Sequence, residues 1–319
     1  MQIGKKAFCD FQTIQEAITY VEAEMSNEEP IVLSILEGIY NEQVTIRRSN
    51  IKLIGIGNVV ISNGAYAKQK DQRGDEIGTF ATATLYLDGS NVHLENITIE
   101  NTAGHGEDVG QAIALYANCD LSSFTNCRFK GSQDTLFTSC LPDKQKDGTD
   151  FLVNRPIHEQ YRQYYLNCTI EGTVDYIFGG ATAYFENCTL INKTRKNGHP
   201  GYITAANTPK GKPYGFIFHE CDIVSEPDAT ASYLGRPWRP YAKVRFQYCK
   251  MTDNIQISRW HDWNNKANQY TAEFIEIHTE QTNFSKDYSN VWGAAGRESN
   301  LEILKPVDVF TEKFYEKKE

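Results

Sequence analysis

The sequence predicts an all-β fold: a parallel β-helix (a solenoid) with an N-terminal capping helix. Three observations carry that expectation. A six-residue motif recurs, a small apolar residue sits near its centre, and the spacing between copies is uneven. The copies are Phe124-Thr-Asn-Cys-Arg-Phe129, Tyr165-Leu-Asn-Cys-Thr-Ile170, Phe185-Glu-Asn-Cys-Thr-Leu190, Phe218-His-Glu-Cys-Asp-Ile223 and Phe246-Gln-Tyr-Cys-Lys-Met251. A cysteine-free version is Leu94-Glu-Asn-Ile-Thr-Ile99. Alternation with period 2 around a small buried residue reads as a strand with one face in a core. The copies recur at intervals of 20 to 41 residues, and one strand type with variable loops is the pattern of stacked coils. Cysteine is small and readily buried, so these cysteines are expected to form a ladder from coil to coil.

The elements follow in chain order. Thr13-Ile-Gln-Glu16 fits a capping box and opens a helix with Ile14, Ala17, Ile18, Val21 and Met25 on one face. This helix, within a cap region of residues 1–28, is expected to plug the N-terminal end of the solenoid. Strands around residues 31–36, 43–46 and 51–56 form the first coils. Residues 65–76 are polar and charged, hence a loop, and Arg73-Gly74-Asp75 within it is read as a chance match to an adhesion motif. Residues 141–160 form a long polar insertion with proline near both ends. In the tail, residues 300–319, the stretch 307–319 reads as a short amphipathic helix on the outside. The Asn-X-Ser/Thr matches at Asn96, Asn167 and Asn187 fall in the repeat strands and are not expected to be glycosylated. No break in composition divides the chain, so residues 1–319 are expected to form one domain.

Composition bounds the function. A net charge of −9 argues against nonspecific nucleic-acid binding. No apolar stretch approaches the roughly 18 residues of a membrane span. The start, Met1 to Asp10, has no apolar core of a signal peptide; the expectation is a cytoplasmic protein if Met1 is the native start, and a secreted one with its signal removed otherwise. Eight cysteines in 319 residues are too few for a disulfide scaffold, and no Cys/His spacing matches a zinc site.

Three stretches carry chemistry: Gly131-Ser-Gln-Asp-Thr-Leu-Phe137, Thr173-Val-Asp-Tyr-Ile-Phe-Gly-Gly180 and Tyr233-Leu-Gly-Arg-Pro-Trp238. Each sets one reactive residue (Asp134, Asp175, Arg236) among glycine, aromatic and aliphatic neighbours. The cysteines act as a ruler. Asp134 lies seven residues after Cys127 and Asp175 seven after Cys168, while Asp175 and Arg236 each lie thirteen before a cysteine. Equal offsets from stacked strands place the two aspartates on one face, about 4.8 Å apart on adjacent coils. The Arg236 match is weaker, because the coil of Cys221 intervenes. Two carboxylates that close cannot both ionise freely: one pKa rises, and the carboxylate touching Arg236 becomes the anionic nucleophile. Gln133 and Gln111 supply amide N–H groups suited to an oxyanion, although a buried glutamine also suits a structural amide stack. Aromatics crowd the same stretches: Phe80, Phe137, Tyr176, Phe178, Tyr233 and Trp238. Trp238 and Phe178, beside the polar residues, are the expected sugar-stacking platforms.

These residues resemble the pectin methylesterases (pectinesterases). The resemblance rests on the three stretches above and on Thr82-Ala-Thr84, Asn101-Thr-Ala-Gly104, Gln111-Ala-Ile-Ala-Leu115, Asp10 to Ile18 and Trp260-His-Asp-Trp263, and so covers almost the whole chain. It implies a right-handed parallel β-helix that hydrolyses the methyl esters of polygalacturonate or oligogalacturonides and releases methanol, with no cofactor and no metal. Asp175 would be the nucleophile and Asp134 the acid and base. Gln111 and Gln133 would hold the oxyanion, and Arg236 would fix Asp175. Thr84, Arg236 and Trp238 would also contact substrate. Phe178, Phe137, Tyr233 and Phe80 are further expected substrate contacts, and a monomer without nucleic-acid or membrane partners is expected. The insertion at residues 141–160 departs from the family and adjoins the expected groove. The alternatives are a related β-helix hydrolase of other esters or thioesters, a β-helix glycoside hydrolase with its carboxylates flanking a glycosidic bond, a polysaccharide lyase, and a non-catalytic carbohydrate-binding solenoid.

Overall fold

The computed structural model describes residues 1–145, 147–151, 157–282, 292–295 and 301–316. From Ile31–Asn41 on Ile51–Asn63 to Lys243–Gln247 on Glu273–Ile277, the strands pair in parallel with their counterparts on the next coil. One sheet has seven strands, stacked in chain order: β1 (Val44–Ile46), β2 (Leu85–Ser90), β3 (Leu115–Asp120), β4 (Leu136–Phe137), β5 (Val174–Gly179), β6 (Tyr202–Ala206) and β7 (Tyr233–Gly235). Among the described residues the remaining wall is an 18-stranded sheet with two faces. They join because Ile51–Asn63 pairs with Val92–Glu95 near its start and with Thr98–Asn101 near its end.

The cysteine motif is not one strand, as the alternation suggests, but two strands meeting at a corner. Ser122–Thr125 and Arg128–Lys130 flank Asn126, and Asn96, Asn126, Asn167 and Asn187 all have left-handed φ between 51° and 60°. Asparagine tolerates that conformation better than most residues, which accounts for its recurrence in the motif. The Asn-X-Ser/Thr matches therefore lie at exposed corners rather than within strands.

Inside the corners the expected ladder is present. The thiols of Cys168, Cys188, Cys221 and Cys249 donate to the carbonyls of Phe124, Tyr165, Phe185 and Phe218 on the preceding coil, at 3.3–3.5 Å. No disulfide links any of the eight cysteines. Beside them Phe124, Tyr165, Phe185, Phe218 and Phe246 stack face to face, with successive centroids 4.4–4.6 Å apart. The result is a continuous apolar column that fixes the register of every coil it touches.

Helix α1 (Ile14–Glu24) buries Ile14, Ala17, Ile18 and Val21 in the same core. Thr13 accepts the Glu16 N–H, and the Glu42 carboxylate accepts the N–H groups of Ile14 and Gln15 at 3.0 and 2.9 Å. Three otherwise unpaired donors of the first turn are satisfied, two of them by a negative charge at the positive end of the helix dipole. The tail departs from expectation. Among the described residues of the tail only Pro306–Val309 is helical, and residues 317–319 of the expected helix lie outside the described residues. Phe310, Phe314 and Tyr315 pack against the outer aromatics Tyr164 and Tyr184. A ready-made aromatic surface won over the helical pattern of the segment.

Candidate active site

β4 and β5 lie side by side, with Leu136 opposite Ile177 and Phe137 opposite Phe178. Just upstream, Gln133 bridges to Val174, and the Asp134 N–H donates to the Val174 carbonyl at 3.0 Å. Asp134 and Asp175 thus hold the same place on successive coils, one strand spacing (about 4.8 Å) apart. Both have left-handed backbones, with φ of 63° and 49°. Against β6 the register of β5 shifts between Val174 and Ile177. A bulge of this kind re-aims a side chain. Asp175 faces outward, while Tyr176 turns into the core and its hydroxyl donates to Asn192 Oδ1 at 3.1 Å.

Arg236 arrives from two coils along. Gly235 pairs with Thr204, which pairs with Ile177, so the Arg236 side chain reaches back across β6. Its Nε donates to Asp175 Oδ1 at 2.8 Å and its Nη2 to Oδ2 at 2.7 Å. A Cβ at Gly235 would lie 2.0 Å from Thr204 Oγ1, so only glycine lets the chain close there. The guanidinium is sandwiched between the rings of Tyr202 and Trp263, each 3.8 Å from centroid to Cζ. Two stacked faces and a two-pronged ion pair leave it little freedom.

This arrangement separates the two carboxyls. Burial pushes Asp134 well above the usual carboxylate range, and the charge of Asp175 adds to the rise; Arg236 and a hydrogen bond with Gln133 pull partly back. Of the two, Asp134 is therefore the carboxyl whose charged form its surroundings disfavour. Burial works against the Arg236 charge, but the contact with Asp175 outweighs it and lifts the guanidinium above its ordinary value.

The side chains line a groove of about 830 Å³ that also exposes Gln111 and Gln133. Gln133 leans on Gly106, where a Cβ would come within 2.6 Å of both its Cβ and its Oε1. Phe80, Phe178 and Trp238 form the aromatic side of the groove, with Phe178 and Trp238 centroids 5.8 Å apart.

A buried acid beside an ion-paired carboxylate, under two amides and beside an aromatic wall, suits acyl transfer on a sugar ring. The pectinesterase family model matches residues 1–146 and 157–299. The chain belongs to the pectinesterase family. Pectinesterase 31 of Arabidopsis thaliana is 32% identical over 86% of this chain and 81% of that protein. The putative pectinesterase/pectinesterase inhibitor 28 of Arabidopsis thaliana is 32% identical over 92% of this chain but 38% of its own length, so the chain spans well under half of that longer relative. Among solved structures, a pectin methylesterase from Yersinia enterocolitica is 25% identical, with a TM-score of 0.77 over 95% of this chain and 99% of that one.

Within this pectinesterase fold, Asp134, Asp175, Arg236, Gln111, Gln133, Phe80, Phe178 and Trp238 all come to one groove. Three expected substrate contacts do not line it. Thr84 is fully buried, and its hydroxyl donates to the Glu100 carbonyl at 2.9 Å. Phe137 is fully buried beneath Phe80 and Phe178. Tyr233 stacks on Tyr202, with centroids 5.2 Å apart. Each belongs to the layer supporting the groove. Sequence reasoning missed the clamp residues Tyr202 and Trp263 and the groove residues Phe151 and Arg239. Only Trp263 stood in a motif noticed beforehand, Trp260-His-Asp-Trp263, and there without a role.

Proposed function

We propose that this chain is a pectin methylesterase that hydrolyses the C6 methyl esters of polygalacturonate or its oligomers. The observation that carries the reading is the two-pronged Asp175–Arg236 pair beside Asp134, buried one coil away where burial raises its pKa. An Asp175 oxygen attacks the ester carbonyl carbon, and the carbonyl electrons move onto oxygen. The amides of Gln111 and Gln133 donate to that oxyanion; one such donor is worth roughly 3–4 kcal/mol in acyl transfer. Collapse breaks the bond to the methoxy oxygen, which takes the Asp134 proton and leaves as methanol. The ionised Asp134 then removes a proton from water, whose oxygen attacks the acyl carbon. A second collapse frees the galacturonic acid and regenerates the Asp175 carboxylate and the Asp134 acid. Phe178 and Trp238 offer apolar faces to the sugar rings.

Incubation with highly methylated pectin tests the reading. Methanol is expected to accumulate without new reducing ends. Reducing ends without methanol would instead identify a glycosidase and overturn the proposal.

A further inference from the structure

The Trp260-His-Asp-Trp263 segment holds a histidine that the mechanism does not use, and it touches every part of the clamp around Arg236. The His261 N–H donates to the Gly235 carbonyl at 3.1 Å, on the strand that leads into Arg236. Its ring meets Tyr202 and Tyr233 edge-on, with centroids 5.6 and 5.2 Å away and interplanar angles of 75° and 65°. Tyr202 is one of the two rings that sandwich the guanidinium. The other is Trp263, and its main-chain N–H donates to His261 Nδ1 at 3.1 Å. That bond closes a turn in which Trp263 and Asn264 both have left-handed φ, 59° and 57°. Such a conformation is costly for a bulky residue and persists only where its surroundings hold it.

Whether the tie exists depends on the protons of the ring. A main-chain N–H can only donate, so Nδ1 must offer a lone pair and the neutral ring carries its hydrogen on Nε2. An imidazolium would turn N–H toward N–H and set a second cation beside Arg236. Burial, and after it the Arg236 charge, hold the His261 pKa below its ordinary value. Asp262 on the same turn and Asp175 on β5 pull the other way. Both are already engaged, Asp262 by Gln269 Nε2 at 2.9 Å and Asp175 by Arg236. Tyr202 from β6 and Tyr233 from β7 meet the ring as well, and burial raises the Tyr202 hydroxyl, which keeps it neutral.

We infer that His261 is a positioning residue: as a neutral imidazole it fixes both rings that sandwich Arg236, and so holds the arginine fork on the Asp175 carboxylate. This rests on the esterase reading and adds an acid-side control to it. When the ring takes up a proton, the Trp263 turn loses its tie, the stacking face loosens and the nucleophile is held less firmly.

Two variants separate the acceptor from the ring. His261→Asn keeps an acceptor two residues before the Trp263 N–H and cannot titrate; His261→Phe keeps an edge-on ring and has no acceptor. On methylated pectin at pH 7, His261→Phe is expected to lower kcat by about fivefold, the scale of one neutral hydrogen bond, with KM little changed. His261→Asn is expected to stay within about twofold of the wild type. As pH falls from about 7 to 4.5, the ratio of each variant's kcat to that of the wild type is expected to rise, because only the wild type has an imidazole to charge. Nitrogen NMR of protein labelled with 15N-histidine, with His261 assigned by its loss in His261→Asn, reads the ring without substrate. The expected spectrum is the Nε2–H tautomer near pH 7 and a titration midpoint below about 6.5. A midpoint at or above that value, or the opposite tautomer, would overturn the inference. So would kcat ratios that stay flat with pH, or equal losses in both variants at every pH, which would mark His261 as packing alone. A wild type whose ring titrates as expected but which releases no methanol would count against the esterase reading instead.

Discussion

Arg236 grips both carboxylate oxygens of Asp175, at 2.8 and 2.7 Å, although the two residues are 61 apart and β6 runs between their coils. The grip depends on the planar fork of arginine and on the two rings that sandwich it. It sets which of the two aspartates is ion-paired.

Replacing the fork by a point charge is therefore not conservative. Arg236→Lys is expected to lower kcat/KM for methanol release by about 10²-fold, the scale of one lost electrostatic contact in an acyl-transfer site. Trp263→Ala leaves the ion pair but removes one stacking face, a loss of about 1 kcal/mol. Its expected signature is a fall in kcat of about fivefold with the melting temperature nearly unchanged.

The raised pKa of Asp134 has consequences for both rate and stability. In the proposed reaction the acid form protonates the leaving methoxy oxygen, so kcat/KM is expected to fall as pH rises through the folded-state pKa. For stability, the folded pKa lies above the unfolded value of about 3.9. The folded chain then binds the proton more tightly, and stability present below pH 4 is lost as pH rises through the folded pKa. Asp134→Asn removes that loss. The variant is expected to be inactive yet to melt roughly 2 °C or more above the wild type at pH 7, with the difference vanishing as pH falls to the ordinary carboxylate range. Thermal scans at several pH values check it.

The spacing of the cysteines made the aspartate pair legible. A 41-residue step separates Cys127 from Cys168, Asp134 from Asp175 and Leu136 from its strand partner Ile177, because stacking transmits register along whole coils. Arg236 was legible only as a neighbour. Its backbone is in register with Phe178 rather than Asp175, and the length of the side chain makes up the difference. The clamp was not legible, since Trp263 comes from a turn with left-handed φ of 59° outside the repeat. Period-2 alternation misled at the corners, where the left-handed asparagines let residues on both arms point inward. Burial of Thr84 and Phe137 likewise depends on the depth of each layer, which a local pattern does not encode.

Gly106 tests the oxyanion assignment from behind. A methyl group there would strike Gln133 at 2.6 Å. Gly106→Ala is expected to cut kcat by about 10²-fold, comparable to losing one oxyanion donor, with KM little changed. Gln133→Ala in the same assay should give a similar loss, and the double variant should add little to either.

The cysteine column makes a prediction about reactivity. Cys9 and Cys140 are partly exposed while the other six thiols are buried, and burial pushes the Cys119 thiol up to about 12. A thiol reagent on the native protein at pH 8 is expected to label Cys9 and Cys140 first and the column only on unfolding. Cys188→Ala, which removes one rung, should cost about 1–2 kcal/mol in denaturant unfolding.

The central claim is that Asp175 is the nucleophile, and Asp175→Asn addresses it most directly. The side chain keeps its shape but loses its charge. Methanol release from methylated pectin is measured alongside the circular dichroism spectrum and melting curve of the same preparation. The expected result is a native-like spectrum with turnover reduced by about 10⁴-fold or more. A folded Asp175→Asn protein that releases methanol at near wild-type rate would contradict the assignment.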